Sequence, residues 1–337
     1  MSKETAKWLN TQTLIGFTEK RGNAWHYRTD FQGDESNHYT GPIPVADVER
    51  RLFDWTPEAI PVTVQGRDRV YSDPNKIILG NPKTGALYGT FSKSGSYHAG
   101  FKTTLLDNVR TIVNDDLNVG SAGLLRNGAV GWVQIETEKT WFAPDGVEFR
   151  PFLFAADSLD GSLAVTYGTG NQLIVCDNTL AAATAEAGST RIRFKHTTNS
   201  LARIQDARTA LGIINEVGAD FEAEVKALLA EKVPARRYNL WAEAYSGYAK
   251  VKDQPAGRGL TMATNKLDTL KTLWAKDERV APWKGTAWGV LQAANSYEHH
   301  FAASRGASKY SRNMSRMVYG QVAEMDSTAL KVLASVK

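Results

Sequence analysis

The chain has 337 residues, 42% of them hydrophobic and 23% charged, and a formal net charge of +4 at neutral pH. That length supports one large domain or two smaller ones with a substantial core, and the composition excludes collagen-like, disordered and disulfide-scaffolded chains. The single cysteine, Cys176, rules out an intrachain disulfide framework and fits a reducing compartment, where a thiol in an apolar run is an inert core group.

Taken in chain order, the first half reads as strands. Apolar, β-branched or alternating runs at 25–29, 61–65, 76–79, 86–91, 130–136, 147–154, 163–167, 172–176 and 191–195 are separated by turn signals such as NPKTG at 81–85 and APDG at 143–146. One helix interrupts them, because Leu105, Leu106, Val109, Ile112, Val113 and Leu117 recur at helical spacing. After His196 the periodicity changes. Asn199 or Ser200 can cap a helix from Leu201, and further helices are expected near 219–232, 236–251, 260–276, 286–303 and 307–334. KDQPAGRG at 252–259 is the best linker. Strands first and helices after predict an α+β fold, a mostly antiparallel β-sheet core with a crossing helix, followed by a helical C-terminal region. The expected division is a β-rich core over 1–200 and a helical region over 201–337 packed on it or extending from it.

Charge is concentrated in two places. Residues 191–210 carry Arg191, Arg193, Lys195, Arg203 and Arg208 against one acid, Asp206. In a strand, Arg191, Arg193 and Lys195 share one face while Ile192 and Phe194 share the other. His196 and Thr197–Thr198 follow with further phosphate-directed donors. The second patch, Arg305, Lys309, Arg312 and Arg316, has no acid between 301 and 320, and its spacing places all four within about 60° of one helical face. Rows of like charge repel unless an anion neutralises them, so both patches predict a polyanion surface. The plain alternatives are a charged edge strand that resists edge pairing and a solvated helix face.

Aromatics are abundant. Trp25, Tyr27, Trp132, Trp141, Trp241, Trp274, Trp283 and Trp288 are either stacking platforms for unpaired bases or core residues. No phosphate-binding glycine loop or nucleophile elbow occurs, and Glu298–His299–His300 does not match a zinc-protease helix. Asp157, Asp160 and Asp177 are the carboxylates that could hold magnesium for nuclease chemistry, although acids near turns usually serve as turn or capping residues. No cofactor or structural metal is expected.

CDNTL at 176–180 followed by RFKHT at 193–197, with SAGLLRNGAVGWV at 121–133, LFAADSLDGSLAV at 153–165 and WKGTAWGVLQAANSYEHHF at 283–301, resembles an uncharacterised phage- and plasmid-like family of laterally transferred elements. The expected architecture is also distantly similar to that of phage single-strand annealing proteins, whose basic groove and ring or helical assembly it then implies. The combined expectation is an ATP-independent single-stranded DNA-binding and annealing protein. It would act as a homo-oligomer in the bacterial cytoplasm, away from membranes, with single-stranded DNA, itself and a phage or host replication or recombination protein as partners. The expected contacts are Arg191, Arg193, Lys195, His196, Arg203, Arg208, Arg305, Lys309, Arg312 and Arg316. The competing readings are an interaction protein that binds a host defence or replication factor without nucleic acid, and a metal-dependent nuclease.

Overall fold

The structure, a computed structural model, describes residues 6–23, 27–93, 100–114, 116–173, 179–180, 192–194, 207–303, 312–313, 316 and 321–336. After a short helix α1 (Ala6–Gln12), strand β1 (Thr13–Ile15) enters a central antiparallel sheet. The chain then forms a separate three-stranded sheet from β2 (Glu58–Gln65), β3 (Val70–Gly80) and β4 (Leu87–Ser92). The crossing helix α2 is built from Lys102–Leu106 and Asp107–Ile112. The chain returns to the central sheet through β5 (Asn118–Leu125), β6 (Val130–Glu136), β7 (Trp141–Ala143), β8 (Val147–Ser158), β9 (Val165–Leu173), β10 (Thr179–Leu180) and β11 (Ile192–Phe194). The strand order is β1-β5-β6-β8-β9-β10, with β7 also on β8 and β11 also on β9. Helices α3 (Ala207–Ala230), α4 (Ala235–Ser246), α5 (Arg258–Lys276), α6 (Ala287–Ser296) and α7 (Gln321–Ser335) complete an α+β fold.

The two faces of the central sheet do different work. On one, Val133, Ile135, Leu153, Ala155, Val165 and Tyr167 pack with Leu105, Leu106, Val109 and Ile112 of α2 and Ile214 of α3. Further along α3, Phe221 and Val225 join Val147 and Phe149 to the helical core around Trp241, Trp274, Trp283 and Trp288. The helical region therefore packs on the sheet. The segment 252–257 is a connection inside it, since α4 and α5, on either side, pack together.

The opposite face carries Trp132, Phe152, Phe154 and Ala156, with Val322 of α7 among its covering residues. It also holds a fully buried polar row. Ser121 donates to Gln134 (3.2 Å), Gln134 donates to Glu136 (3.3 Å), and Glu136 pairs with Arg150 at 3.8 Å. Gly120 makes this possible: a Cβ there would collide with the Glu136 carboxylate. Gly120→Ala is accordingly expected to destabilise the protein by about 1–3 kcal/mol through overpacking. That would be read as a lower denaturation midpoint at unchanged slope.

Several expectations are corrected. The expected runs at 163–167 and 172–176 merge into the single strand Val165–Leu173, in which Gly168 is a close-approach site for the Phe154 ring; Leu163 and Ala164 precede it, and 174–176 lie outside the described residues. β5 was not foreseen, and the helix expected to reach Leu117 ends at Ile112. Of the expected strand at 25–29, residues 25 and 26 lie outside the described residues, Tyr27 and Arg28 belong to no strand, and Thr29 opens a 3₁₀ turn, Thr29–Phe31. The β5–β6 hairpin turns through the loop 126–129, where Arg126, Asn127 and Gly128 are all left-handed (φ 55°, 57° and 87°) and the Gly128 amide donates to the Leu125 carbonyl (3.1 Å).

β2, β3 and β4 form an arm. Its base is held by Tyr88, whose hydroxyl donates to the Asn127 carbonyl (3.2 Å) and accepts from Asn81 (3.1 Å). Trp55, Tyr88 and Phe101 pack ring to ring beneath it. A register shift between Pro61 and Val62 interrupts the β2–β3 ladder, and beyond it most residues are exposed.

Candidate nucleic-acid interface

β11 lies on the outer side of β9. Its register sets Ile192 against Tyr167, Arg193 against Thr166 and Phe194 against Val165. Tyr167 and Val165 are buried on the α2 side, so positions 192 and 194 share the core face and position 193 falls on the other. Position 193 continues a cross-strand row through Thr166, Ala156, Trp132, Gly123 and Thr13. Among the described residues no strand pairs with the far side of β11. Arg191, Lys195, His196 and Arg203 lie outside the described residues. So do the side chains of Arg193 and of Arg208, whose backbone lies in α3.

Two members of the C-terminal stripe are described, and both turn to the protein. Arg312 donates to the carbonyls of Glu298 (2.6 Å) and Ala302 (2.7 Å), and Arg316 approaches the Glu298 carboxylate at 3.4 Å. They cap the turn Tyr297–Phe301 that follows α6, where free carbonyls favour cations. The acid missing from the stripe's own segment is supplied by Glu298 across the fold. Arg305 and Lys309 lie outside the described residues.

Glu298 also receives Lys266 (3.2 Å), whose ammonium sits over the rings of Tyr245 (4.1 Å) and Tyr297 (4.8 Å). Tyr245, Lys266, Glu298 and Arg316 line an open pocket of about 440 Å³ together with Glu324 and Met325 of α7.

Behind this pocket lies a buried polar stripe. Gln292, Asn295, Ser296 and His299 occupy one helical face, opposite Asp326 of α7, and all five are almost fully buried. Asn295 donates to Asp326 (3.0 Å), while the Gln292 amide, the Ser296 hydroxyl and the His299 Nε2 have no hydrogen-bond partner among the described residues. Burial pushes the His299 imidazole down to about 3, helped by His300, Arg316 and Arg312. Burial pushes the Asp326 carboxyl well above its ordinary range, against the Asn295 hydrogen bond. An acid whose pKa is raised on folding adds stability below its unfolded pKa and loses it as pH climbs towards the folded value. Asp326→Asn is therefore expected to raise the melting temperature at pH 7 and to lose that advantage near pH 3, in paired thermal scans.

The acidic candidates serve the fold. Asp157 is buried and accepts from the Thr104 hydroxyl (2.5 Å) and the Ser158 amide (2.7 Å). Asp160 pairs with Arg126 (3.0 Å) and accepts from the Ser162 amide (2.9 Å) in the β8–β9 turn. Asp177 lies outside the described residues, among which no cluster of three or more His, Cys, Asp or Glu is placed to hold a metal. The tryptophans are also structural. Trp132, Trp241, Trp274, Trp283 and Trp288 are buried, and Trp141 packs on Phe149. Trp25 lies outside the described residues.

Residues 92–318, from the last residue of β4 to the end of the basic stripe, match the family model described as a domain of unknown function, DUF932. The chain belongs to the DUF932 family. No curated protein and no solved structure matches it. The DUF932 span contains the sheet from β5 onward, the polar row and the Glu298 cluster; the arm precedes it, apart from Ser92. No helix among the described residues is long and apolar enough to cross a membrane.

Proposed function

We propose that this DUF932 protein is an ATP-independent single-stranded DNA-binding and annealing protein of a phage or other mobile element, acting as a homo-oligomer in the bacterial cytoplasm. The observation that carries the reading is the alternation of Arg191, Arg193 and Lys195 in the sequence, of which Arg193 falls in the outer strand β11 between Ile192 and Phe194, whose register partners Tyr167 and Val165 belong to the core. A row of cations along a pleated edge matches the repeating charge of a nucleic-acid backbone. In this account Arg191, Arg193, Lys195 and Arg203 hold phosphates, with His196 and Arg208 beside them, and base edges stay free to find a complement. Annealing runs downhill, so no nucleotide hydrolysis is needed. Arg305 and Lys309 extend the track, while Arg312 and Arg316 anchor their segment on Glu298. Phage origin rests on the resemblance of CDNTL and RFKHT to the mobile-element family.

The test is a strand-pairing assay. Complementary oligonucleotides carrying a fluorophore and a quencher should pair faster with the protein, without ATP, and light scattering should give a mass above one chain. Arg191→Ala, Arg193→Ala and Lys195→Ala combined should remove most of the acceleration. Unchanged acceleration would show that this strand is not the groove. Failure to pair or bind strands, together with tight capture of an acidic protein, would replace the reading with protein–protein recognition.

A further inference from the structure

We propose that the outer half of the β2–β3 arm is a second contact for single-stranded DNA, an inference that rests on the function proposed above. With most tryptophans in the core, base stacking needs an exposed ring elsewhere. Tyr71 is 60% exposed and sits directly across the ladder from Val64, also 60% exposed. The Gly66 amide donates to the Arg69 carbonyl (2.9 Å) and closes the hairpin. Strand alternation then puts Val62, Val64, Arg69 and Tyr71 on one face of the arm. The Tyr71 ring lies over Gly66, where a Cβ would meet it, so the ring is held against the hairpin end rather than folded back on the body.

Charge fits the same ligand. Arg67 and Arg69 flank the exposed Asp68 in the turn, and among the described residues no carboxylate forms an ion pair with either. Asp73, which the register places on that face opposite Val62, accepts from the Asn75 amide (2.9 Å). A phenol ring bordered by valine methyls with guanidiniums one step away offers what an unpaired nucleotide presents, a π-face and a phosphate. Duplex bases are stacked within the helix and cannot reach the ring. A self-complementary contact between two copies of the arm would oppose like-charged guanidiniums, which argues for an anionic occupant.

The test uses a fluorescein-labelled oligothymidine, the full-length chain and a salt titration. Arg67→Ala with Arg69→Ala should reduce the slope of log affinity against log salt by about 1.4, two phosphates' worth for a single strand. Tyr71→Ala should weaken binding about five-fold to a hundred-fold, and Tyr71→Phe should retain it, because stacking needs the ring and not the hydroxyl. Oligonucleotides bearing bromodeoxyuridine should cross-link to the peptide containing Tyr71. Melting temperatures should stay unchanged, since these side chains are exposed. If the wild-type protein binds strands and the arm variants match it in slope and affinity, the arm inference is overturned while the proposed function stands. If the variants bind normally but lose oligomeric mass, the arm is a contact between copies and the inference is likewise overturned. If the wild-type protein binds no single strand, both readings fall together.

Discussion

Replacing Glu136 with alanine is expected to cost about 3–5 kcal/mol, because it strips the carboxylate from beside a guanidinium that has no access to water. Glu136 and Arg150 are 0% and 1% exposed and lie 3.8 Å apart on the face of the sheet that also carries Trp132 and Phe154. Arg150 additionally lies over the Phe17 ring at 4.9 Å, so it cannot leave without opening the packing beneath β1. Removing both charges is a different experiment. Glu136→Leu with Arg150→Met exchanges a desolvated pair for apolar volume, and most of the single-variant loss should return. Urea denaturation of the wild type, the Glu136→Ala variant and the double variant reads the comparison directly. Equal losses in the single and double variants would mean that the pair's shape, and not its charge, is what the sheet requires.

Lowering the pH from 6.5 to 4 is expected to remove about 3 kcal/mol of stability through His299 alone. Its folded pKa is about 3 against an ordinary 6.5, so the unfolded chain takes up a proton that the folded chain refuses. The contribution is complete above the unfolded value and is lost as pH falls towards the folded one. His299→Gln, which titrates nowhere in this range, should flatten the pH dependence of the denaturation midpoint by that amount. Parallel wild-type and variant curves would contradict the assignment. Two other sets of groups shape the profile. Glu35, Glu49, Asp54 and Asp277 have carboxyls held below their usual range, by hydrogen bonds to Arg50, Lys102, Lys83 and Arg279 respectively, and they add to the loss at lower pH. Asp326 works in the opposite direction, gaining stability as the solution becomes more acid.

The architecture was legible where local signals and tertiary demands coincide. The β6 run 130–136 carries Gln134 and Glu136 at alternate positions between valine and isoleucine, a period-two pattern that marks a strand, and the structure has it at those bounds. β5 was missed because Gly120, Ser121 and Gly123 carry no β-branched or aromatic strand signal. Those small residues are there to admit Glu136, Gln134 and Trp132 from the neighbouring strand, a requirement that only the paired sheet reveals. Gly168 misled for the same reason. The stripe Arg305–Arg316 was legible as charge but not as contact, since Glu298, the acid that meets Arg316, lies outside the stripe and on another element. The arm was visible only as ordinary strands. The turn Gly66-Arg67-Asp68-Arg69 followed by Val70 and Tyr71 does pair cations with an aromatic at period two, but sequence alone does not say that this hairpin stands clear of the core.

The measurement that tests the account most directly is fluorescence anisotropy of a labelled single-stranded oligonucleotide titrated with the intact protein across a range of salt. A protein that tracks a strand with several cations should bind tightly and lose affinity with a log–log slope near −0.7 for each phosphate it neutralises, with weaker binding to a duplex of the same length. Absence of binding even at low salt, or equal binding to single strand and duplex, would contradict the annealing account.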